Sequence, residues 1–488
     1  MYRGKTIEEL RKQLDSKETT KEELFDKANR LAHYFQDEYN SFVTIIDRPK
    51  FKERDSIISG IPYALKDNFS TSGILTTASS NILKDYVPVY DATVYKKLKS
   101  AGATLVGKTV LDELAMGGTG TTGHTGVVKN PWNKDRMIGG SSAGSASSVA
   151  LGIVPFSIGS DTGDSVRKPA AYGGLVGFKP TYGRISRYGL FAFASSLDHV
   201  AMFTRSVKDA AIITDILKGQ DEFDMTTLKD DDKKYSESLD ESIKGKRLFY
   251  IKELCDKELY KDDTEVILVL DKFYELIDKC KKMGFIIEEV SIDKKLLEAI
   301  YPTYMCISCA EATSNNANLT GIQFGPRGVG KTVEEIMFSS RTQGFSELIK
   351  RRFILGSYIL QKENQERLFL NAGRVRRMIV DRITELFKEY DGMILPASGG
   401  IAPKFDTSSE KVEKLSDRYL LLENHLAIGN FGGFPSITIP YGFIDDCPIG
   451  VNITGKVKED ELILRIAHHI EKETGLKGIY SKVGDIDV

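Results

Sequence analysis

The chain has 488 residues, enough for a large core and for one to three domains. Apolar residues make up 41% and charged residues 28%, an ordinary globular balance, and a formal net charge of −2 builds no long-range attraction to RNA or to an anionic membrane into the chain as a whole. No run of about 18 apolar residues offers a membrane span, residues 1–14 are polar and mixed in charge rather than a signal peptide, and five scattered cysteines suit reduced thiols better than a disulfide framework, so a cytoplasmic protein is expected.

Residues 5 to 37 read as amphipathic helices, and Thr19-Thr20 followed by Glu22-Glu23 is the pattern of a capped helix start. From about 60 to 210, short apolar runs alternate with stretches rich in Gly, Ser and Thr. Ile61–Leu65, Ala103–Val106 and Ile153–Ile158 read as buried strands ending at polar residues, with helices at Asp91–Ser100 and Thr109–Met116 between them. Residues 221 to 244 carry the run Asp230-Asp231-Asp232-Lys233-Lys234 and read as a solvated connector. Arg247–Ile251 and Phe285–Val290 read as strands around a helix at about 263–283. Residues 333 to 389 read as mostly helical, Met393–Pro396, Ser436–Pro440 and Gly450–Ile453 as late strands, and Asp460–Glu473 as a closing helix. Alternating strands and helices predict α/β layers. The divisions are an N-terminal helical segment at 1–60, a core at 60–210, a charged connector at 211–245, and at 246–488 the remainder of the same domain.

The segment from Gly139 to Pro180 stands apart: G-G-S-S-A-G-S-A-S-S, then G-S-D-T-G-D-S-V-R-K-P-A-A-Y-G-G. Glycine at this density costs chain entropy and is tolerated where backbone N–H groups must approach a ligand closely. Ser141 and Ser165 each follow such a turn. Acyl transfer needs a nucleophile, a base and N–H donors aimed at the developing oxyanion, and Thr162-Gly163-Asp164-Ser165 can supply several donors around one hydroxyl. Composition alone fits equally well a tightly packed loop or a phosphate cradle.

The six histidines, His33, His124, His199, His425, His468 and His469, lie in no recognisable triad context. The other base open to serine is a lysine desolvated enough to lose its proton. Lys66 follows the apolar run Ile61–Leu65 and precedes Asp67-Asn68, at a strand end where α/β sites collect. A surface lysine at a strand end is the plainer reading of that position.

These residues together resemble the amidase signature family over nearly the whole chain. The resemblance implies a Lys–Ser–Ser triad of Lys66, Ser141 and Ser165, with Ser165 as nucleophile and a cis, non-prolyl peptide bond at Ser141. It implies an oxyanion hole from the backbone of Thr162, Gly163, Asp164 and Ser165, and one large α/β domain with a mixed β-sheet covered by helices on both faces. Within the family, F-K-P-T-Y-G-R-I-S-R-Y-G-L-F-A-F-A-S-S-L-D-H (178–199), G-I-Q-F-G (321–325) and I-K-R-R-F-I-L-G-S (349–357) are similar to the glutaminase subunits of tRNA-dependent amidotransferases. That likeness implies glutamine hydrolysis, with ammonia sent to partner subunits B and C. The partner would amidate a misacylated tRNA, Glu-tRNA(Gln) or Asp-tRNA(Asn), with ATP and Mg; no cofactor and no metal is expected on this chain. The choice of tRNA is expected to lie in the partner.

In the family an arginine and a carboxylate hold the α-groups of glutamine. The matching arginine is Arg351 or Arg352, with Arg352 preferred; the carboxylate falls on Glu423, where Asp is usual, and Tyr304 lines the same pocket. A guanidinium and a carboxylate are apt for a zwitterionic amino acid. The chain departs from the family at Ala143 and Asp164, where glycine is usual, at Lys168, where glutamine is usual, and at Gln361–Phe369, where an aromatic run is usual. Asp164 and Lys168 are four apart and opposite in charge, which predicts that they pair.

Gly325–Thr332 reads G-P-R-G-V-G-K-T and matches the P-loop pattern. A working P-loop follows a buried strand, whereas Ser314–Gln323 is polar and rich in Asn, so a plain loop is expected. Cys306-Ile-Ser-Cys309 has no second pair and reads as buried thiols in a helix rather than a zinc site. Two rivals stay open: a stand-alone amidase acting on another small amide, which would purify without a partner, and a P-loop nucleotide-binding protein, which would bind ATP as the isolated chain.

Overall fold

Eleven strands form a single mixed sheet in the computed structural model, which describes residues 2–49, 51, 54–405 and 416–484. In chain order they are β1 Phe42–Ile45, β2 Pro62–Lys66, β3 Thr104–Thr109, β4 Phe156–Asp161, β5 Val176–Lys179, β6 His199–Thr204, β7 Arg247–Ile251, β8 Ile286–Val290, β9 Gly392–Pro396, β10 Ser436–Ile444 and β11 Cys447–Gly455. In space the order is β1-β3-β2-β4-β6-β5-β10-β11-β9-β7-β8. Strand β2 runs parallel to both β3 and β4, and β7 to both β8 and β9, while the centre from β6 to β11 is antiparallel. The last two strands in sequence therefore sit mid-sheet, joining β5 of the first half to β9 of the second.

The faces of this sheet can be read from two glycines. A Cβ on Gly450 would meet Ala171, in the helix Arg167–Gly173; a Cβ on Gly455 would meet Ile463, in the helix Asp460–Thr474. Five residues along a regular strand reverses the face, so these helices cover opposite sides of β11. The first helices, Ile7–Asp15 and Lys21–Tyr39, begin at Thr6 and Thr20, each in a capping box with a glutamate three residues on. Ahead of them, Arg3 donates to the carbonyls of Leu151, Ser481, Val483 and Gly484 and ties the two ends of the chain together.

Several expectations are corrected. Thr109–Met116 is not a helix: β3 extends to Thr109, and only a short 3-10 turn, Glu113–Ala115, follows, with Leu114 and Ala115 at φ of 51° and 61°. The carboxylate of Asp112 accepts the N–H groups of Thr119, Gly120, Thr121 and Thr122, folding the chain into a loop instead. The Gly/Ser-rich centre holds two helices besides its turns, Ala143–Ala150 and Arg167–Gly173. Strands β1, β5 and β6 escape the apolar-run reading because they are short or polar at their ends. The boundary at 210 falls inside the helix Val207–Leu217. Residues 221–244 contain no helix or strand and are mostly exposed, as a solvated connector would be, but they are pinned at points: Lys218 pairs with Asp230 and Asp231, and Tyr235 is fully buried, its hydroxyl donating to Asp231.

Strand β4 lies within the Gly/Ser-rich segment and packs closely against the rest of it. A Cβ on Gly159 would lie 2.9 Å from Ser142 Oγ and from Val166 Cγ2, and 3.2 Å from Phe203. Gly159→Ala should destabilise the fold by about 1–3 kcal/mol through overpacking, read as a lower midpoint of urea denaturation, with loss of activity at temperatures where the variant is still folded.

Candidate active site

Parallel pairing of β2 with β4 brings their C-terminal ends together, with Leu65 opposite Ile158. Lys66 is the last residue of β2, and Ser160 and Asp161 close β4. Open α/β sheets place their sites at such ends. The helix Ala143–Ala150 packs under both strands and delivers Ser141 and Ser142 at its N-terminal approach. The Gly140–Ser141 peptide bond is cis. A Cβ on Gly140 would fall 2.0 Å from Asp112 Oδ2, so only glycine fits there, and the Asp112 N–H donates to the Ser141 carbonyl at 3.0 Å.

Lys66 is completely buried. Its Nζ donates to Ser141 Oγ at 2.9 Å, Ser142 Oγ at 2.8 Å, Ser160 Oγ at 2.9 Å and the Ser160 carbonyl at 3.3 Å. No carboxylate among the described residues touches it. Burial pushes the amine down to about 7, against weaker opposing effects of Asp112, Asp161 and Asp198 at longer range. Ser142 gives its own proton to the Ser160 carbonyl at 3.0 Å, and Ser160 accepts from Asn68 at 3.1 Å.

The turn from β4 to the helix Arg167–Gly173 carries Ser165, whose carbonyl accepts from the Ser142 N–H at 3.3 Å. Asp161 caps that helix, taking the Val166 N–H at 2.9 Å, and holds Arg167 through Nε at 3.1 Å and Nη2 at 2.9 Å. Arg167 also donates to the carbonyls of Gly163 and Leu426 and to Asn430 Oδ1. Burial alone would raise the Asp161 carboxyl; Arg167, Lys179 and Asn430 reverse this and hold it well below the usual carboxylate range. On the other side Thr162 donates to Asp198 at 2.7 Å, and burial raises Asp198 to about 6 despite that bond and the N–H groups of Ala194 and Phe193. Fixed at both ends, the turn leaves the N–H groups of Gly163, Asp164 and Ser165 without an acceptor among the described residues.

The pocket residues separate by environment. Arg351 is exposed, whereas Arg352 turns inward, its guanidinium 5.7 Å from the centre of the Phe193 ring, and Nε and Nη1 are buried without a hydrogen-bond partner among the described residues. Tyr304 packs against the turn, where its ring would touch a Cβ on Gly163 at 3.0 Å, and its phenol is within electrostatic reach of Arg352, Asp164 and Asp198. Burial raises the phenol, so it stays protonated. Lys168 pairs with Asp164 at 3.2 Å, as its spacing predicts, and also with Glu423 at 3.2 Å. Glu423 is further bound by the Gly399 N–H at 3.2 Å and approached by Arg418 at 3.7 Å; burial would raise its carboxyl, but Lys168 and Arg418 lower it overall.

Sequence reasoning misses Ser160, Asp112, Asp161, Arg167 and Asn430. Ser160, Asp161 and Arg167 stand inside the G-S-D-T-G-D-S-V-R motif and could be singled out as buried polar residues at a strand end; Asn430 carries no local signal. The P-loop-like segment follows no strand: the preceding element is the helix Ile300–Asn315, and Thr332 caps Val333–Gly344 while the Lys331 side chain is exposed. Cys306 and Cys309 lie in that same preceding helix, and no group of three or more His, Cys, Asp or Glu side chains among the described residues is placed to hold a metal. No described helix is long and apolar enough to cross a membrane.

A buried lysine, a string of serine hydroxyls and unpaired amides on a strand-to-helix turn define an amide hydrolase site, and a family model described as Amidase matches residues 20–464: the chain belongs to the amidase family. It is 37% identical over 486 residues, 97% of each chain, to the A chain of the glutamyl-tRNA(Gln) amidotransferase of Streptococcus pneumoniae. The solved structure of the corresponding glutamyl-tRNA(Gln) amidotransferase component of Thermotoga maritima superposes with a TM-score of 0.81 at 35% identity, covering 97% of this chain and 95% of that one. A 6-aminohexanoate cyclic dimer hydrolase shares the fold at 22% identity, with a TM-score of 0.80 over 98% and 99% of the two chains.

The Lys168 bridge gives a direct test. Lys168→Gln alone leaves Asp164 without its cation and Glu423 with only Arg418 and the Gly399 N–H, and should destabilise the fold more than the double variant with Asp164→Gly. The expected coupling between the two sites is about 0.5–3 kcal/mol in a thermodynamic cycle of urea midpoints; simple addition would mean that the pair contributes nothing.

Proposed function

We propose that the chain is the glutamine-hydrolysing component of a tRNA-dependent amidotransferase, acting through Lys66, Ser141 and Ser165. The observation that carries this is the cage of three hydroxyls and one carbonyl around a buried lysine, in a chain alike over nearly its whole length to components of that name. Neutral Lys66 takes a proton from Ser141, which takes one from Ser165. Ser165 Oγ attacks the amide carbon, and the N–H groups of 163–165 receive the developing oxyanion. The C–N bond then breaks, the relayed proton leaves with ammonia, and water attacks the ester to release glutamate and restore Ser165. Ser142 is a poor relay because its proton is committed to the Ser160 carbonyl; Ser141 has no such commitment among the described residues.

Arg352 would bind the substrate carboxylate, since two buried guanidinium nitrogens without a hydrogen-bond partner among the described residues are costly until an anion arrives. Tyr304 would form the wall between it and the turn. Free ammonia is mostly protonated at neutral pH and diffuses away, so such a glutaminase needs partners B and C that receive it, bind the misacylated tRNA and use ATP with Mg. A cytoplasmic location follows from that role.

Three outcomes are expected. Ser165→Ala abolishes ammonia release from glutamine, yet the complex still amidates tRNA when given an ammonium salt; retained glutaminase activity would refute the nucleophile. Because Lys66 must be neutral to act, kcat/KM for glutamine rises with pH, half-maximal near 7, and is lost as the amine protonates below that; a flat profile between pH 6 and 9 would refute Lys66 as base. Arg352→Ala raises KM for glutamine far more than it lowers kcat, because it holds the non-reacting end; Arg351→Ala changes neither.

A further inference from the structure

Two carboxylates share Lys168 beside the nucleophile, and their bonding differs. Glu423 has both oxygens engaged: Oε2 by Lys168 at 3.2 Å, Oε1 by the Gly399 N–H at 3.2 Å and, more distantly, by Arg418 at 3.7 Å. Arg418 in turn is held in place by Asp263 at 2.8 Å and Glu265 at 2.6 Å. Lys168 further donates to the Glu423 carbonyl, so the glutamate is clamped through main chain and side chain alike. Asp164 has one oxygen, Oδ2, on Lys168 at 3.2 Å; among the described residues nothing bonds its Oδ1. Its side chain is also the most open of the three, 25% exposed against 19% for Glu423 and 11% for Lys168.

Charge counting points the same way. Lys168 is one cation between two carboxylates, and Arg418 behind Glu423 is likewise shared with Asp263 and Glu265, so carboxylates outnumber cations in this cluster. Asp164 is the residue before Ser165, and Tyr304 lies within electrostatic reach of both Asp164 and Arg352. Among the described residues, a carboxylate with an unbonded oxygen and a guanidinium with two unpartnered nitrogens thus both lie within electrostatic reach of one phenol, whose ring packs against the turn that carries the nucleophile, and they are complementary to the two ends of a zwitterion.

We infer that Asp164, rather than Glu423, receives the amino group of the substrate, and that Lys168 and Glu423 serve as its positioning residues. This rests on the glutaminase reading above. It makes Asp164 a specificity-determining residue: the ammonium of glutamine supplies the missing positive charge, which also offsets the effect of the carboxylate on the oxyanion next door. An amide without an amino group would bring no such compensation.

The test compares glutamine with glutaramate, the same amide acid lacking the amino group, on the protein purified with its partner subunits. Asp164→Asn should raise KM for glutamine by about tenfold or more while leaving KM for glutaramate unchanged, and Glu423→Gln, which acts through Asp164, should shift the ratio of the two KM values in the same direction but by less. If Asp164→Asn does not fold, Asp164→Gly gives the same readout. Equal losses on the two substrates in the Asp164 variants, a rise in KM for glutamine that is larger in Glu423→Gln than in Asp164→Asn, or a wild type that does not distinguish the two amides would overturn the inference while leaving the glutaminase reading standing. A wild type that hydrolyses neither would overturn both.

Discussion

The site depends on keeping one lysine out of water without giving it a carboxylate. A buried ammonium is expensive to desolvate, and a nearby anion would stabilise the charged form. Lys66 meets only hydroxyls and a carbonyl, and its amine falls to about 7. One strand over, Lys108 is equally buried but lies 3.3 Å from Asp67, the ion pair that Lys66 avoids. The acids around Lys66 are each occupied elsewhere: Asp112 with four amides of the 119–122 loop, Asp161 with Arg167, and Asp198 with Thr162. Much of the polar core can be understood as the means of keeping those three charges committed and at a distance.

That arrangement explains why the Gly/Ser-rich segment looks as it does. A Cβ on Gly144 would lie 2.2 Å from the Ser41 carbonyl, and one on Gly177 would lie 2.5 Å from Ala170. Small residues let the helix Ala143–Ala150 and the strand β5 approach their neighbours at backbone distance, and that approach brings Ser141 and Ser142 to Lys66. The segment trades helix propensity for closeness, and packing supplies the order that its composition lacks.

The apolar runs that become β2, β3, β4, β7 and β9 are legible in the sequence because both their faces are buried or nearly so, leaving a continuous signal. Lys66 is legible for the same reason, as the polar residue that ends such a run. The two short helices are hidden by glycine and serine, whose local preferences run against helix. The apparent helix at Thr109–Met116 fails because a single buried carboxylate, Asp112, gathers amides seven to ten residues ahead, an interaction with no periodicity. The pairing of Asp164 with Lys168 is open to a spacing argument. The second arm, from Lys168 to Glu423, spans 255 positions, and no local reading reaches that far.

The position of β10 and β11 bears on how the molecule comes into being. During synthesis the lysine, both serines and the turn exist long before these strands do, yet the groups that steady the turn from its far side, the Leu426 carbonyl and Asn430, arrive just ahead of β10. Until then Arg167 lacks half its partners, β5 is an open edge, and β7–β9 have no sheet to join. A nascent chain therefore carries every reacting group without a rigid scaffold for them, and hydrolytic competence should switch on with the insertion of one late hairpin rather than accumulate along the chain.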